Sequence, residues 1–268
     1  MTATPTRAED GAIRGKGFTI RRLALSLLLF CGTANATCHD GWVCIDEHID
    51  GDTVLLRARN LKTFPVTYTL SVTARNYISD RGEPVTRTLR PQEISDAMTL
   101  TLRHGRRHNG VRHDVQWTIG DKDANHDDDH LYAFPYASGR SYRILQGFGS
   151  RFSHTGLEQY AIDFDMPEGT PVHAARSGIV AEVVERHSKG CWRSGCGRYA
   201  NYIVVLHSDG TTGEYYHLQQ DGALIDVGDS VARGQRIGYS GNTGNTALPH
   251  LHFAVYRASS MGETQSIP

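Results

Sequence analysis

Past the N-terminal segment, no stretch of this chain sustains the 3.6-residue apolar repeat that a long amphipathic helix requires. It carries instead short runs rich in Val, Thr, Leu and Tyr, partly alternating and broken by turn-formers. "TVLLRARNL", "VTYTLSVTAR", "VTRTLRP", "AMTLTLRH" and "HDVQWTIGD" follow one another between Thr37 and Asp121. Their spacing of roughly ten residues is that of a small β-sandwich of immunoglobulin-like type. Such a domain is expected over residues 37–120. It contains no clustered nucleophile, base or metal set, so it reads as a binding or positioning module. His104, His108 and His113 lie among arginines, which disfavour a bound cation, and are expected in a solvated basic loop.

The texture changes at "DKDANHDDDHLY". Asp121, Asp123, Asn125, Asp127 and Asp129 fall at the odd spacing of a calcium loop. Against that, His126 stands where the sharp turn needs Gly, and Tyr132 where a bidentate Glu belongs. An acidic linker over residues 121–140 is the expectation. From 141 to 268 glycines are frequent and strands short: "YAIDFDM", "GIVAEVVERH", "YIVVLHS", "TTGEYYHL", "QRIGYSG" and "HLHFAVYR". "HSDG" and "SGNTGNT" supply the turns. A second all-β domain, a compact sheet with tight connections, follows from this pattern. With 268 residues the chain can bury both cores. Its formal net charge of −1 gives no basic bias towards nucleic acid.

Residues 1–36 have a character of their own. "RGKGFTIRR" is basic, "LALSLLLFCG" is apolar, and "TANA" offers small residues for cleavage after Ala36. That is the three-part pattern of a secretory signal peptide. The apolar run is about half the roughly twenty residues that a bilayer span needs, so no stable membrane anchor is expected. Export to a periplasmic or extracellular space makes disulfides the favoured state of the two close pairs, Cys38 with Cys44 and Cys191 with Cys196. A zinc–thiolate reading competes poorly, because neither pair is C-x-x-C and nothing completes a four-ligand set.

Fourteen histidines are present. His187 and His207 read as surface groups at strand ends, and His173 as structural. Four others can meet a carboxylate. His154 precedes a strand carrying Asp163, and "GEYYHL" places His217 late in another. In "PHLHFAVYR" an extended strand projects His250 and His252 to one face and Leu251 and Phe253 to the other. Two His and one Asp around zinc leave a fourth position for water, the layout of a catalytic site. Two further imidazoles could then hold that water and meet an oxyanion. Spacing alone supports this weakly in so His-rich a chain.

The segments "SHTG…YAIDFDMPEGTPVHAARSGIV", "EYYHL", "VGDSVARGQRIGYSGNTGN" and "PHLHF" occur in this order. Together they closely resemble the lysostaphin-like, LytM-type zinc endopeptidases of the cell wall. Position by position, the resemblance implies one Zn²⁺ per chain, bound by His154, Asp163 and His252. It matches His217 and His250 to the two unliganded catalytic histidines. It also implies a small antiparallel β-sheet core around a groove, with the site on its floor, and peptidoglycan stem peptides as substrate. A catalytically inactive activator of other wall hydrolases, with a regulatory protein partner, is the alternative; a secreted protease acting on glycine-rich proteins or foreign walls is another. The chain departs from the family in placing Asp163 nine positions after His154, where most members have the two four positions apart, and Asp165 is a rival ligand. "TGLEQY" is expected to form a longer loop at the groove. The insertion "SKGCWRSGCGRYAN" carries Trp192, for which a groove wall and a plain stabilised hairpin both fit.

Overall fold

A computed structural model describes residues 35–104, 106–107 and 110–268 of the protein. All but the last two residues of the expected leader, together with His108, lie outside the described residues. No helix among the described residues is long and apolar enough to cross a membrane.

The first half folds as β1 (Asn35–His39), β2 (Val43–Asp50), β3 (Thr53–Asn60), β4 (Val66–Ala74), β5 (Tyr77–Ser79), β6 (Val85–Leu89), β7 (Ile94–Leu102) and β8 (Val111–Ile119). They form two antiparallel sheets, ordered β1-β2-β3-β7-β5 and β6-β4-β8. Alternation is strict in β3: Val54, Leu56, Ala58 and Asn60 are buried, and the residues between them are not. This period of two is the pleat expressed in burial. Asn60 is tolerated inside because its amide donates to the Phe64 and Arg90 carbonyls and accepts from the Lys62 N–H. Val54, Leu56 and Met98 of one sheet share a core with Tyr68, Leu70 and Val115 of the other. Cys38 and Cys44 are disulfide-bonded across the β1–β2 hairpin.

The second half supplies β9 (Ile144–Gln146), β10 (Ile162–Phe164), β11 (Pro171–His173), β12 (Gly178–Val184), β13 (Gly190–Cys191), β14 (Tyr202–Leu206), β15 (Thr212–Tyr216), β16 (Leu218–Ala223), β17 (Ser230–Val231), β18 (Arg236–Ser240), β19 (Gly244–Asn245), β20 (Leu251–Ala258) and β21 (Thr264–Ile267). Its main sheet runs β17-β12-β14-β15-β20-β10-β9, with β21 on the flank of β20. The chain is all-β in both halves, as the run lengths predict.

β14 explains how the halves join. "YIVVL" is apolar on both faces. Ile203 and Val205 face the core formed with Phe164, Met166 and Tyr215. Val204 and Leu206, with Ala181 of β12, belong to the sandwich core instead. The main sheet is therefore covered on one side by its own core and on the other by the sandwich.

Three expectations need correction. Residues 121–136 are docked rather than loosely solvated: Asp121 accepts from Thr88, the Ala133 N–H donates to the Ala175 carbonyl, and Arg176 reaches Tyr132 and Asp209. The acidic side chains satisfy nearby donors and do not converge as calcium ligands. His113 sits on β8 rather than in a basic loop, 3.2 Å from Glu47 with its ring almost enclosed. His207 is buried, its Nδ1 2.9 Å from Thr211 Oγ1. A polar turn such as "HSDG" looks solvent-facing in sequence, but this one folds back under Tyr132 and Arg176.

Candidate metal centre

Register places the central residues. β10 and β20 are antiparallel neighbours with Asp163 opposite His252, and Tyr216 of β15 lies opposite His252 on the other side. Leu251 and Phe253 project into the core, which turns His252 and its period-two neighbour His250 towards the groove. His154 arrives from the loop before β10, fully buried.

His154 Nε2, Asp163 Oδ1 and His252 Nδ1 converge. Oδ1 is 3.2 Å from His154 Nε2 and 2.9 Å from His252 Nδ1, and one ligand atom from each residue falls within a mutual 4.8 Å. Zinc bonds of about 2.0–2.2 Å put neighbouring donors of a tetrahedral site roughly 3–3.5 Å apart. The observed spacings fit. The donor set, two imidazoles and a carboxylate, also suits zinc. His154 Nε2 is buried with no hydrogen-bond partner, which is costly unless something occupies that lone pair. Asp165, the rival, points elsewhere: its carboxylate takes two hydrogen bonds from Arg143.

Each imidazole is oriented through its other nitrogen. His154 Nδ1–H donates to the Gly147 carbonyl at 3.2 Å. His217 Nδ1–H donates to the Thr243 carbonyl at 2.7 Å, and His250 Nδ1–H to the Leu248 carbonyl at 2.8 Å. All three therefore offer Nε2 to the groove. His252 is reversed, with Nδ1 on Asp163 and Nε2 within 3.2 Å of the Tyr256 hydroxyl and 3.5 Å of Glu158 Oε2. The Tyr256 hydroxyl in turn donates to Glu158. Asp163 Oδ2 accepts from Gln146 Nε2 at 2.6 Å.

His217 follows β15 with φ of +65°, a left-handed conformation rare for a bulky residue and common at functional positions. Its ring lies 4.5 Å from that of His250 and 6.0 Å from that of His252. His250 Nε2 is 3.8 Å from Asp163 Oδ1.

The electrostatics follow from these contacts. Burial disfavours the Asp163 anion, but the imidazoles of His154, His252 and His250 that surround it outweigh burial and hold the carboxyl far below its usual range. Burial works against protonated His252 as well, yet Asp163 and Glu158 raise it to about 9. Burial, then His250 and His252, push His217 down to about 3, so it is neutral.

The structure thus gathers all five histidine and aspartate candidates in one groove. It forms the second disulfide, Cys191–Cys196, in the insertion beside it. Glu158, Tyr256 and Gln146 join them unforeseen. Tyr256 shares the β20 face with His252 at a spacing of four, a signal the strand pattern does contain. Glu158 rides on a 3-10 turn, Gly156–Glu158, inside the expected longer loop.

Residues 158–264 match Peptidase family M23, and this chain therefore carries an M23 domain. The matched stretch holds Asp163, His217, His250 and His252 but begins after His154. Peptidoglycan DD-endopeptidase ShyA of Vibrio cholerae is 35% identical over 124 residues, covering 45% of this chain and 26% of that protein. Lysostaphin of Staphylococcus simulans is 41% identical over 115 residues, covering 42% and 21%. The solved catalytic domain of lysostaphin is 34% identical and covers 47% of this chain and 88% of its own, with a TM-score of 0.36. The chain spans only about a fifth to a third of the length of the curated relatives it matches.

Proposed function

We propose that this protein is an exported, zinc-dependent endopeptidase that hydrolyses peptide cross-links of bacterial peptidoglycan, with one zinc per chain held by His154, Asp163 and His252. The observation that carries the reading is the convergence of three ligand-capable atoms with two further imidazoles of fixed orientation at the same groove. The printed names of relatives, peptidoglycan DD-endopeptidase among them, support the substrate class. Export is supported by the leader-like sequence before residue 37 and by two disulfides, which persist in oxidising compartments.

Bound zinc supplies a Lewis acid that polarises the scissile carbonyl. His217 and His250 face the groove through Nε2. Between them these atoms can take the proton of the attacking water and return it to the leaving amine. Protonated, an imidazole here also stabilises the tetrahedral oxyanion. The enclosed position of His217 keeps it a proton acceptor at neutral pH. The Gln146 amide fixes Asp163 through its second oxygen, leaving Oδ1 for the ion.

The test is direct. The purified chain should contain about one zinc, as a single three-ligand site implies, and should release peptides from purified sacculi. Mass spectrometry of the products from walls with direct and with glycine-bridged cross-links names the bond. A glycine-restricted product set would favour the chemistry that the relative named glycyl-glycine endopeptidase ALE-1, from Staphylococcus capitis, suggests. Zinc with no bond cut in any wall would replace the hydrolase reading with that of an activator of other hydrolases.

A further inference from the structure

The groove beside the histidines, about 610 Å³, has an aromatic wall that the proposed reaction steps do not use. Phe152 and Trp192 stack there, with centroids 5.2 Å apart and planes 10° from parallel. Both remain open to solvent, 68% and 52% exposed. Paired large aromatics left in water are a feature of binding surfaces.

Their positions are fixed. Phe152 lies two residues before His154. Trp192 sits in a loop closed by the Cys191–Cys196 disulfide, with Cys196 buried beneath it. β13 pairs in parallel with β19. The Gly244 N–H donates to the Lys189 carbonyl at 2.9 Å, and the Thr246 N–H to the Cys191 carbonyl at 3.2 Å. At Gly190 a Cβ would meet the Asn242 carbonyl at 2.0 Å, so only glycine lets the two backbones approach. The same 242–248 turn provides the Thr243 and Leu248 carbonyls that orient His217 and His250. Trp192 is thus fastened to the segment that sets the two catalytic imidazoles, and Phe152 to the segment that brings in His154. A wall tied to the reacting centre at both ends is preorganised for binding.

We propose that the Phe152–Trp192 pair is the specificity-determining wall of the groove. On it lies the uncharged, aliphatic part of a cross-linked peptide, next to the bond that is cut. This rests on the endopeptidase reading above. The chemistry of the lining points to such a ligand. Leu145, Ala247 and Leu248 continue the apolar surface, and among the described residues no Lys or Arg lines the groove to pair a free terminal carboxylate. Its outlying carboxylate, Glu158, is already engaged by Tyr256.

The test uses the full chain loaded with zinc and a soluble cross-linked muropeptide dimer. Losing one ring face should raise KM roughly tenfold in W192A and in F152A. Zinc content should be unchanged and kcat should stay within about threefold, because neither ring touches the reacting atoms. W192F, which keeps a flat face, should recover most of the loss. Binding is read separately from catalysis in zinc-loaded H250A. Trp42 and Trp117 stack on each other in the sandwich, so a dimer-induced change in tryptophan fluorescence reports Trp192. A monomeric stem peptide with a free C-terminus should give a weaker response. KM within about twofold of the parent in both alanine variants, or no fluorescence response to the dimer, overturns the proposal. Dimer that binds in the groove but is never cut would instead overturn the endopeptidase reading and leave the wall standing.

Discussion

Asp163 and His252 face each other in register across β10 and β20, with His252 Nδ1 2.9 Å from Asp163 Oδ1. The pairing is set by backbone hydrogen bonds, so the two side chains meet whether or not an ion lies between them. Two residues on, Asp165 has left the strand and faces Arg143 at the surface.

That difference leads to opposite expectations for the two aspartates. Asp163→Asn should bring bound zinc, measured by elemental analysis, from about one per chain to near zero, since an amide is a poor zinc ligand. Asp165→Asn should keep the zinc and cost under about 1 kcal/mol of stability, because an exposed ion pair contributes little. Equal zinc loss in both would place the ligand wrongly.

How much of this could be read from sequence varies with the residue. The His250–Leu251–His252 alternation is a property of any strand, and the structure keeps it, with Leu251 in the core. β2 has no clear sequence signature, because "VCIDEHID" mixes charge into a strand that is buried only at its start. The burial of His207 has no local signal, because burial of a turn depends on what folds over it. Glu158 carried no signal at all. It is one acidic residue in a polar loop, and only the 3-10 turn aims it at His252. Patterns reveal faces of strands; contacts between a loop and a distant strand have no period.

Glu158 supports the centre through His252. Its carboxylate and the Tyr256 hydroxyl share the outer nitrogen of that ring. Glu158→Gln and Tyr256→Phe should each weaken zinc affinity by roughly 10–100-fold, the usual cost of losing an outer-shell partner. Competition with a chromogenic chelator measures it. Affinities matching the parent in both variants would show that the contact does not orient His252.

His217 and His250 should separate from the ligands in the opposite sense. Neither is within the three-atom cluster, so His217→Ala and His250→Ala should retain most of the zinc. Hydrolysis of cross-linked peptide should nevertheless fall by about 10²–10⁴-fold, the range for loss of a general acid–base or oxyanion donor. His252→Ala should instead lose the metal. If His250→Ala and His252→Ala lose zinc equally, the division of roles between these neighbours is wrong.

His207 makes a prediction about acid stability that does not involve the metal. Burial, with the charge of Arg176 adding to it, lowers its pKa to about 3 from an ordinary value of 6.5. Between those values the unfolded chain binds a proton that the folded chain refuses. Its contribution is therefore complete above pH 6.5 and is lost as pH falls towards 3. Glu214 acts in the other direction. Burial, partly offset by hydrogen bonds from Tyr216 and Thr212, raises it from 4.5 to about 7. The folded state then holds a proton that the unfolded state has released, so this contribution is present below pH 4.5 and lost as pH rises through 7. At pH 5 the His207 effect alone amounts to roughly 2 kcal/mol of lost stability. His207→Gln removes the titrating group and can keep a hydrogen bond to Thr211. Urea unfolding at pH 7.5 and pH 5 should therefore show a smaller drop in His207→Gln than in the parent. Identical drops would mean that the acid sensitivity originates elsewhere in the fold.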